Sequence, residues 1–319
     1  MQSWAYTPEP VSVSEVRTDT LRVLGLIGAF ALLSADASAY CRRRVTLDPS
    51  AECGSTGAPL WWRYRCIGYH VNAKASIEMP LDDAINISQL SFSAWSEATC
   101  SDGNPSVLVS HLGTTNSEEI GYSKTGANEN IIVFRDGRWP HDDVDNPLAL
   151  TTFTYDKNTG EIVDADIEIN SAEAKLIPEG KPGSDTYELR SILTHEAGHF
   201  LGLAHTPVTL ATMFARYEPG TSGLSSLEAD DMQAICSVYL RDYTRSTGLD
   251  GGTTPATAVC DPKASESPPA APPATENCIC NLQHSASNQS ASWAIAAFGG
   301  LIAIRRRPRH LRLTQRKII

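Results

Sequence analysis

The chain has 319 residues and a formal net charge of −11, with 20% of its side chains charged. That length accommodates one or two domains. The acidic balance disfavours nucleic acid as a partner, because phosphate binding needs a basic face and the basic residues here gather at the two chain ends.

Residues 1–39 read as a secretory signal. Arg17 and Arg22 precede an apolar run at 23–33, and Ala37-Ser38-Ala39 offers an A-x-A cleavage site. Cleavage there leaves Tyr40 as the first mature residue. The run is too short to span a bilayer, which disfavours a permanent N-terminal anchor. Export makes the eight cysteines disulfide candidates. Cys66 with Cys100 would bracket the first strand and first helix and is the favoured pairing. Cys41 with Cys53 and Cys236 with Cys260 are further pairings, although spacing alone does not fix connectivity. None of the cysteines has C-x-x-C spacing, which disfavours a zinc ribbon.

Residues 40–65 form a short segment without clear periodicity. β-Forming residues at 66–71 predict a first strand. Leu81, Ala84, Ile85, Phe92 and Trp95 recur at a helical period and predict a helix over 81–99. Strands are predicted at 107–112 and 130–134. The segments 148–155 and 162–169 pair as a hairpin around Lys157-Asn158-Thr159-Gly160. Asp185 and Glu188 have capping-box spacing, and Leu189, Ile192, Leu193 and Phe200 supply an apolar face. A helix over 186–201 follows, and a last helix over 227–240. Residues 246–290 are rich in Pro, Ala, Ser and Thr, contain Cys278 and Cys280, and read as a solvated stalk. In 291–319 a short apolar run precedes Arg305-Arg306-Arg307, a cluster that stays on the cytoplasmic side of a membrane.

The chemistry concentrates in His195-Glu196-Ala197-Gly198-His199-Phe200-Leu201-Gly202-Leu203-Ala204-His205, which reads H-E-x-x-H-x-x-G-x-x-H. A helix advances about 100° per residue, so His195 and His199 share one face, one turn apart. Gly202 can adopt a left-handed conformation that stops the helix and returns His205 as a third ligand. Three neutral imidazoles leave the fourth position of a tetrahedral zinc open for water, and Glu196 can act on that water as general base. A bare H-E-x-x-H occurs by chance in many helices; the extended form fixes five positions and is far more specific.

This stretch resembles the metzincin metalloproteases. Ala211-Thr212-Met213 and the spacing on to Tyr217 resemble the matrixin (matrix-metalloprotease-like) branch. Segments 148–153, 162–170 and 227–235 also look like matrixin elements, so the resemblance covers residues 66–240. It implies an α+β, zincin-like fold: a twisted, mixed and mostly parallel sheet, an active-site helix, a cleft below the edge strand and a small C-terminal subdomain, spanning 66–245. It implies one catalytic zinc on His195, His199 and His205, with Met213 packed beneath it rather than ligating. Peptide bonds of extracellular proteins are the implied substrate, lying antiparallel to strand 148–154. Ser191, Ala215 and Tyr217 match the pocket for the residue after the cleaved bond, with Ala215 where matrixins usually carry proline.

The resemblance also implies structural calcium near Asp156, Asp164 and Asp166; a solvated turn with acidic strand ends is the other reading of these residues. His141-Asp142-Asp143 looks like half of a structural zinc site, but Leu150 stands where a ligand histidine is required. Cys53-Gly54 invites comparison with a pro-segment cysteine that blocks zinc, and a plain disulfide is favoured. The Cys278-Ile279-Cys280 motif, apolar run and arginine cluster resemble the C-terminal sorting signals of myxobacterial surface proteins, implying a transient membrane anchor and a cell-surface destination. A monomer acting on protein or peptide substrates is expected. The competing class is a surface adhesion or structural protein that keeps zinc for folding; the intact Glu196 and a three-ligand count disfavour it.

Overall fold

The computed structural model describes residues 40–45, 56–123, 128–141, 147–248, 252–261 and 274–278. The expected signal (1–39), Cys53-Gly54, Asp142, Asp143, Cys280 and the segment 291–319 lie outside them. No helix of the described residues is long and apolar enough to cross a membrane.

The first strands are β1 (Cys41–Arg42), β2 (Trp61–Trp62) and β3 (Tyr64–Asn72), followed by helix α1 (Leu81–Ser96). Next come β4 (Leu108–Thr115), β5 (Ile131–Phe134), β6 (Ala149–Tyr155) and β7 (Glu161–Ile169). Short strands β8 (Leu176–Ile177) and β9 (Tyr187–Glu188) lead into α2 (Leu189–Phe200), then β10 (Leu203–Ala204) and α3 (Ala229–Val238). The chain continues through β11 (Thr244–Ser246), β12 (Thr253–Pro255), β13 (Thr257–Asp261) and β14 (Ala274–Cys278).

These form a mixed sheet whose main path runs β4-β3-β5-β7-β6-β14, with β13 beside β3 and β2 beside β7. Strands β4, β3, β5 and β7 are parallel, and β6 turns back antiparallel to β7. Parallel neighbours need a crossover; α1 supplies it between β3 and β4. Strand β5 is the run Ile-Ile-Val-Phe with all four residues buried, the pattern of a strand covered on both faces.

Helix α2 packs against α1 and β6. Phe200 at its end meets Phe92 of α1 and Trp62 of β2, with ring centroids 5.0 and 5.4 Å apart. Two indoles also tie α2 through its backbone: Trp95 Nε1 donates to Thr194 O at 2.8 Å and Trp62 Nε1 to Phe200 O at 2.7 Å. Buried tryptophans thus contribute apolar area while their N–H groups stay satisfied. Tyr239, just past α3, donates its hydroxyl to Leu201 O at 2.8 Å and fixes the end of α2. Arg245 is fully buried, donating to the carbonyls of Trp62 and Tyr64, and ties β11 against β2 and β3.

Three expectations are corrected. Cys100 pairs with Cys236, joining the end of α1 to α3 across 136 residues, so neither Cys66–Cys100 nor Cys236–Cys260 forms. Cys41 and Cys66 are disulfide-bonded as well. The capping box at Asp185 and Glu188 does not form, because α2 starts three residues later than its spacing requires. Glu188 instead accepts from Gly180 N and Ser191 Oγ, and Asp185 pairs with Lys175. The stretch read as a solvated stalk carries β12, β13 and β14, and the last two extend the main sheet.

Candidate metal centre

Every residue of α2 from Ser191 to Phe200 is buried. One helical turn separates His195 from His199, and their Nε2 atoms lie 3.0 Å apart. The helix closes with Leu201 N–H on Ala197 O and Gly202 N–H on His199 O. Gly202 then takes φ +88°, and a Cβ there would stand 2.8 Å from Leu60 O. Glycine is therefore required both by conformation and by the close approach of β2's leading chain. This turn brings the His205 ring to 5.2 and 4.8 Å from those of His195 and His199. One ligand nitrogen from each histidine lies within 4.8 Å of the other two; among the described residues no other group of three or more ligand side chains converges this way.

The second nitrogens set the tautomers. His195 Nδ1 is 2.7 Å from Thr212 O, and His199 Nδ1 is 2.8 Å from Leu203 O. A carbonyl only accepts, so each Nδ1 carries the proton and each Nε2 presents a lone pair. Two lone pairs facing each other at 3.0 Å cannot satisfy one another, and a cation bound by both does. Burial, reinforced by His205, pushes His195 down to about 3. Burial and the two neighbouring imidazoles likewise hold His199 well below its ordinary value. His195 and His199 are thus neutral, as metal binding needs. Three imidazoles, with no fourth side-chain ligand among the described residues, match the donor set of a catalytic zinc.

Glu196 is fully buried beside the histidines, and its Oε2 accepts from Thr151 Oγ1 on β6 at 2.6 Å. Met213 packs on the helix from the side of Gly198. A Cβ at Gly198 would lie 2.3 Å from Met213 Sδ and 2.6 Å from Trp95 Cζ2. The Met213 loop is held by Asp231 of α3, whose carboxylate accepts the N–H groups of Thr212 and Met213 at 2.7 and 3.0 Å.

Among the expected pocket residues, Ser191 and Tyr217 are brought together. Ser191 Oγ donates to Glu188 Oε2 at 2.5 Å, and the neighbouring Tyr217 hydroxyl donates to Thr221 O at 2.8 Å. Ala215 is half-buried in the same loop. The three aspartates do not converge as a ligand group. Asp156 accepts the N–H groups of Asn158 and Thr159 and shapes the hairpin turn. On β7, Asp166 accepts from Gly121 N and Ile131 N and hydrogen-bonds Asp164. Burial, with repulsion from Glu168, pushes Asp166 up to about 7. His141 Nε2 contacts Glu168 Oε2 at 2.8 Å, and the other oxygen of Glu168 accepts from Arg135.

Thr151, Gly198 and Asp231 are site residues that the sequence reading did not single out. Gly198 carried a signal, since a glycine inside a helix costs about 1 kcal/mol against alanine and so marks a close approach. Thr151 and Asp231 act across the fold and had no local signature.

The model of the family described as Matrixin matches residues 61–240, which include every element from β2 to α3. Over 75 residues the chain is 31% identical to Metalloendoproteinase 1-MMP of Arabidopsis thaliana, a stretch that covers 23% of this chain and 20% of that protein.

Proposed function

The chain belongs to the matrixin family, and from that premise we propose that it is a zinc-dependent endopeptidase that hydrolyses peptide bonds in extracellular proteins. The observation that carries this reading is the convergence of three imidazoles with a buried carboxylate one residue along the same helix. His195, His199 and His205 would hold the zinc. When bound, zinc supplies a Lewis acid that polarises the scissile carbonyl and acidifies a water molecule.

The protein's own groups do the rest. Glu196 takes the proton of the attacking water and passes it to the leaving amine. The Thr151 hydroxyl, bonded to Glu196 Oε2, orients that carboxylate. The Nδ1–H bonds to Thr212 O and Leu203 O keep His195 and His199 turned toward the metal. A substrate main chain adds to the cleft-side edge of β6, antiparallel to it. Ser191, Ala215 and Tyr217 line the pocket for the residue after the cleaved bond, and a large apolar residue is preferred there. Export through the leader read at 1–39, with the tail at 291–319 as a transient anchor, would bring the enzyme to extracellular substrates.

Casein hydrolysis with and without a chelator tests this reading. Activity should vanish on chelation and return with zinc, and His199→Ala should lose both metal and activity. Full activity in a metal-free preparation contradicts it.

A further inference from the structure

Strand β6 has two edges. One is paired along its length with β7, from Ala149 opposite Ile169 to Tyr155 opposite Ile162. The other is the edge to which a substrate is proposed to add, on the strand whose Thr151 reaches Glu196. That second edge is paired with β14, antiparallel, from Ala274 opposite Tyr155 to Cys278 opposite Thr151.

An open strand edge offers a row of N–H and C=O groups to any extended peptide. A substrate adding to β6 next to Glu196 must use the same groups that β14 uses. Strand β14 also runs in the direction proposed for substrate, and its C-terminal residue is level with the residue that holds the general base. The twelve residues 262–273, five of them proline, connect β13 to β14. Twelve residues reach at most about 40 Å, and a tether of that size holds its segment at an effective concentration on the order of mM.

We propose that residues 274–278 are an intramolecular competitor: the chain's own C-terminal segment occupies the substrate edge of β6, and peptide substrates bind only when it leaves. This inference rests on the peptidase reading of the site.

The test uses the full-length chain with Glu276→Pro and Asn277→Pro together. Neighbouring strand residues turn their N–H groups to opposite edges, so one of the two prolines removes a donor to β6. Amide hydrogen exchange at residues 151–155 should quicken by about tenfold or more in the variant. The KM for a peptide substrate should fall by about threefold or more while kcat stays the same, the signature of a lost competitor. A synthetic peptide of residues 272–278 added to the variant should raise KM again. Unchanged exchange together with unchanged KM would overturn the proposal. So would removal of the tail on zinc loading in wild type but not in Glu196→Ala, because the segment would then be a substrate. If neither protein cleaves peptides yet exchange still differs, occupancy of the edge stands and the peptidase reading falls.

Discussion

His195 and Asp231 are joined through a single residue. Thr212 donates its N–H to Asp231 Oδ2 at 2.7 Å, and its carbonyl lies 2.7 Å from His195 Nδ1. The same carboxylate accepts from Met213 N at 3.0 Å and Glu228 N at 2.9 Å. One buried side chain of α3 therefore sets the start of its own helix, the seat of Met213 and the orientation of His195.

Partners that orient a ligand affect the metal without touching it. Asp231→Ala is expected to weaken zinc binding by about 10–100-fold, read by competition against a chromogenic chelator. Asp231→Asn, which keeps one acceptor oxygen, should lose less. An Asp231→Ala protein with wild-type zinc affinity would mean that the Thr212 carbonyl holds its place without the carboxylate.

Gly198 faces the opposite problem, because there is no room for any side chain. Alanine gains about 1 kcal/mol of helix propensity but meets Met213 Sδ and Trp95 Cζ2 far inside contact distance. Overpacking of this kind costs about 1–3 kcal/mol, so Gly198→Ala should melt at a lower temperature than wild type. Adding Met213→Ala to Gly198→Ala should recover part of the loss, and a strictly additive double variant would show that the two residues do not clash.

Thr151→Val keeps the shape of the side chain and removes the hydroxyl that Glu196 accepts from. Zinc content and KM should stay at wild-type levels while kcat falls by about tenfold. Thr151→Ser should restore most of the rate. Equal kcat for valine and threonine would remove Thr151 from the orientation of the base.

Asp166 gives a pH dependence with a definite sign. Its folded value, about 7, stands above its ordinary 3.8. The native state therefore holds a proton that the unfolded chain releases. The stabilisation is fully present below about pH 4 and is lost as pH rises through about 7. Asp166→Asn stays neutral throughout. In chelator-treated protein the melting temperature of Asp166→Asn relative to wild type should rise between pH 5 and 8. A constant offset over that range would show that Asp166 titrates normally.

The readable parts of the molecule were those whose cause is local. Five positions within eleven residues define the metal helix and its turn, and Gly202 adopts the left-handed conformation expected of it. The hairpin was legible for the same reason: β6 and β7 begin within one residue of 148 and 162. The Cys100–Cys236 bridge depends on how α3 docks beside the end of α1, 136 residues away, and no spacing rule reports that. The four-residue pattern at Asp185 and Glu188 resembled a helix start, yet the strand residues Tyr187 and Glu188 pair with β8 and delay the helix. Strand β14 was hidden for another reason. Edge pairing uses backbone groups that every residue except proline carries, so a segment that follows a proline-rich run reads as a stalk.

The central claim is that Glu196 moves the proton in peptide hydrolysis at a zinc held by His195, His199 and His205. The most direct measurement is kcat for Glu196→Ala against wild type on one peptide, with the zinc content of both preparations determined. One zinc per chain in each, with a rate loss of about 100- to 10,000-fold in the variant, is the expected result. A zinc-loaded Glu196→Ala protein within about tenfold of wild type would contradict the claim and require another base.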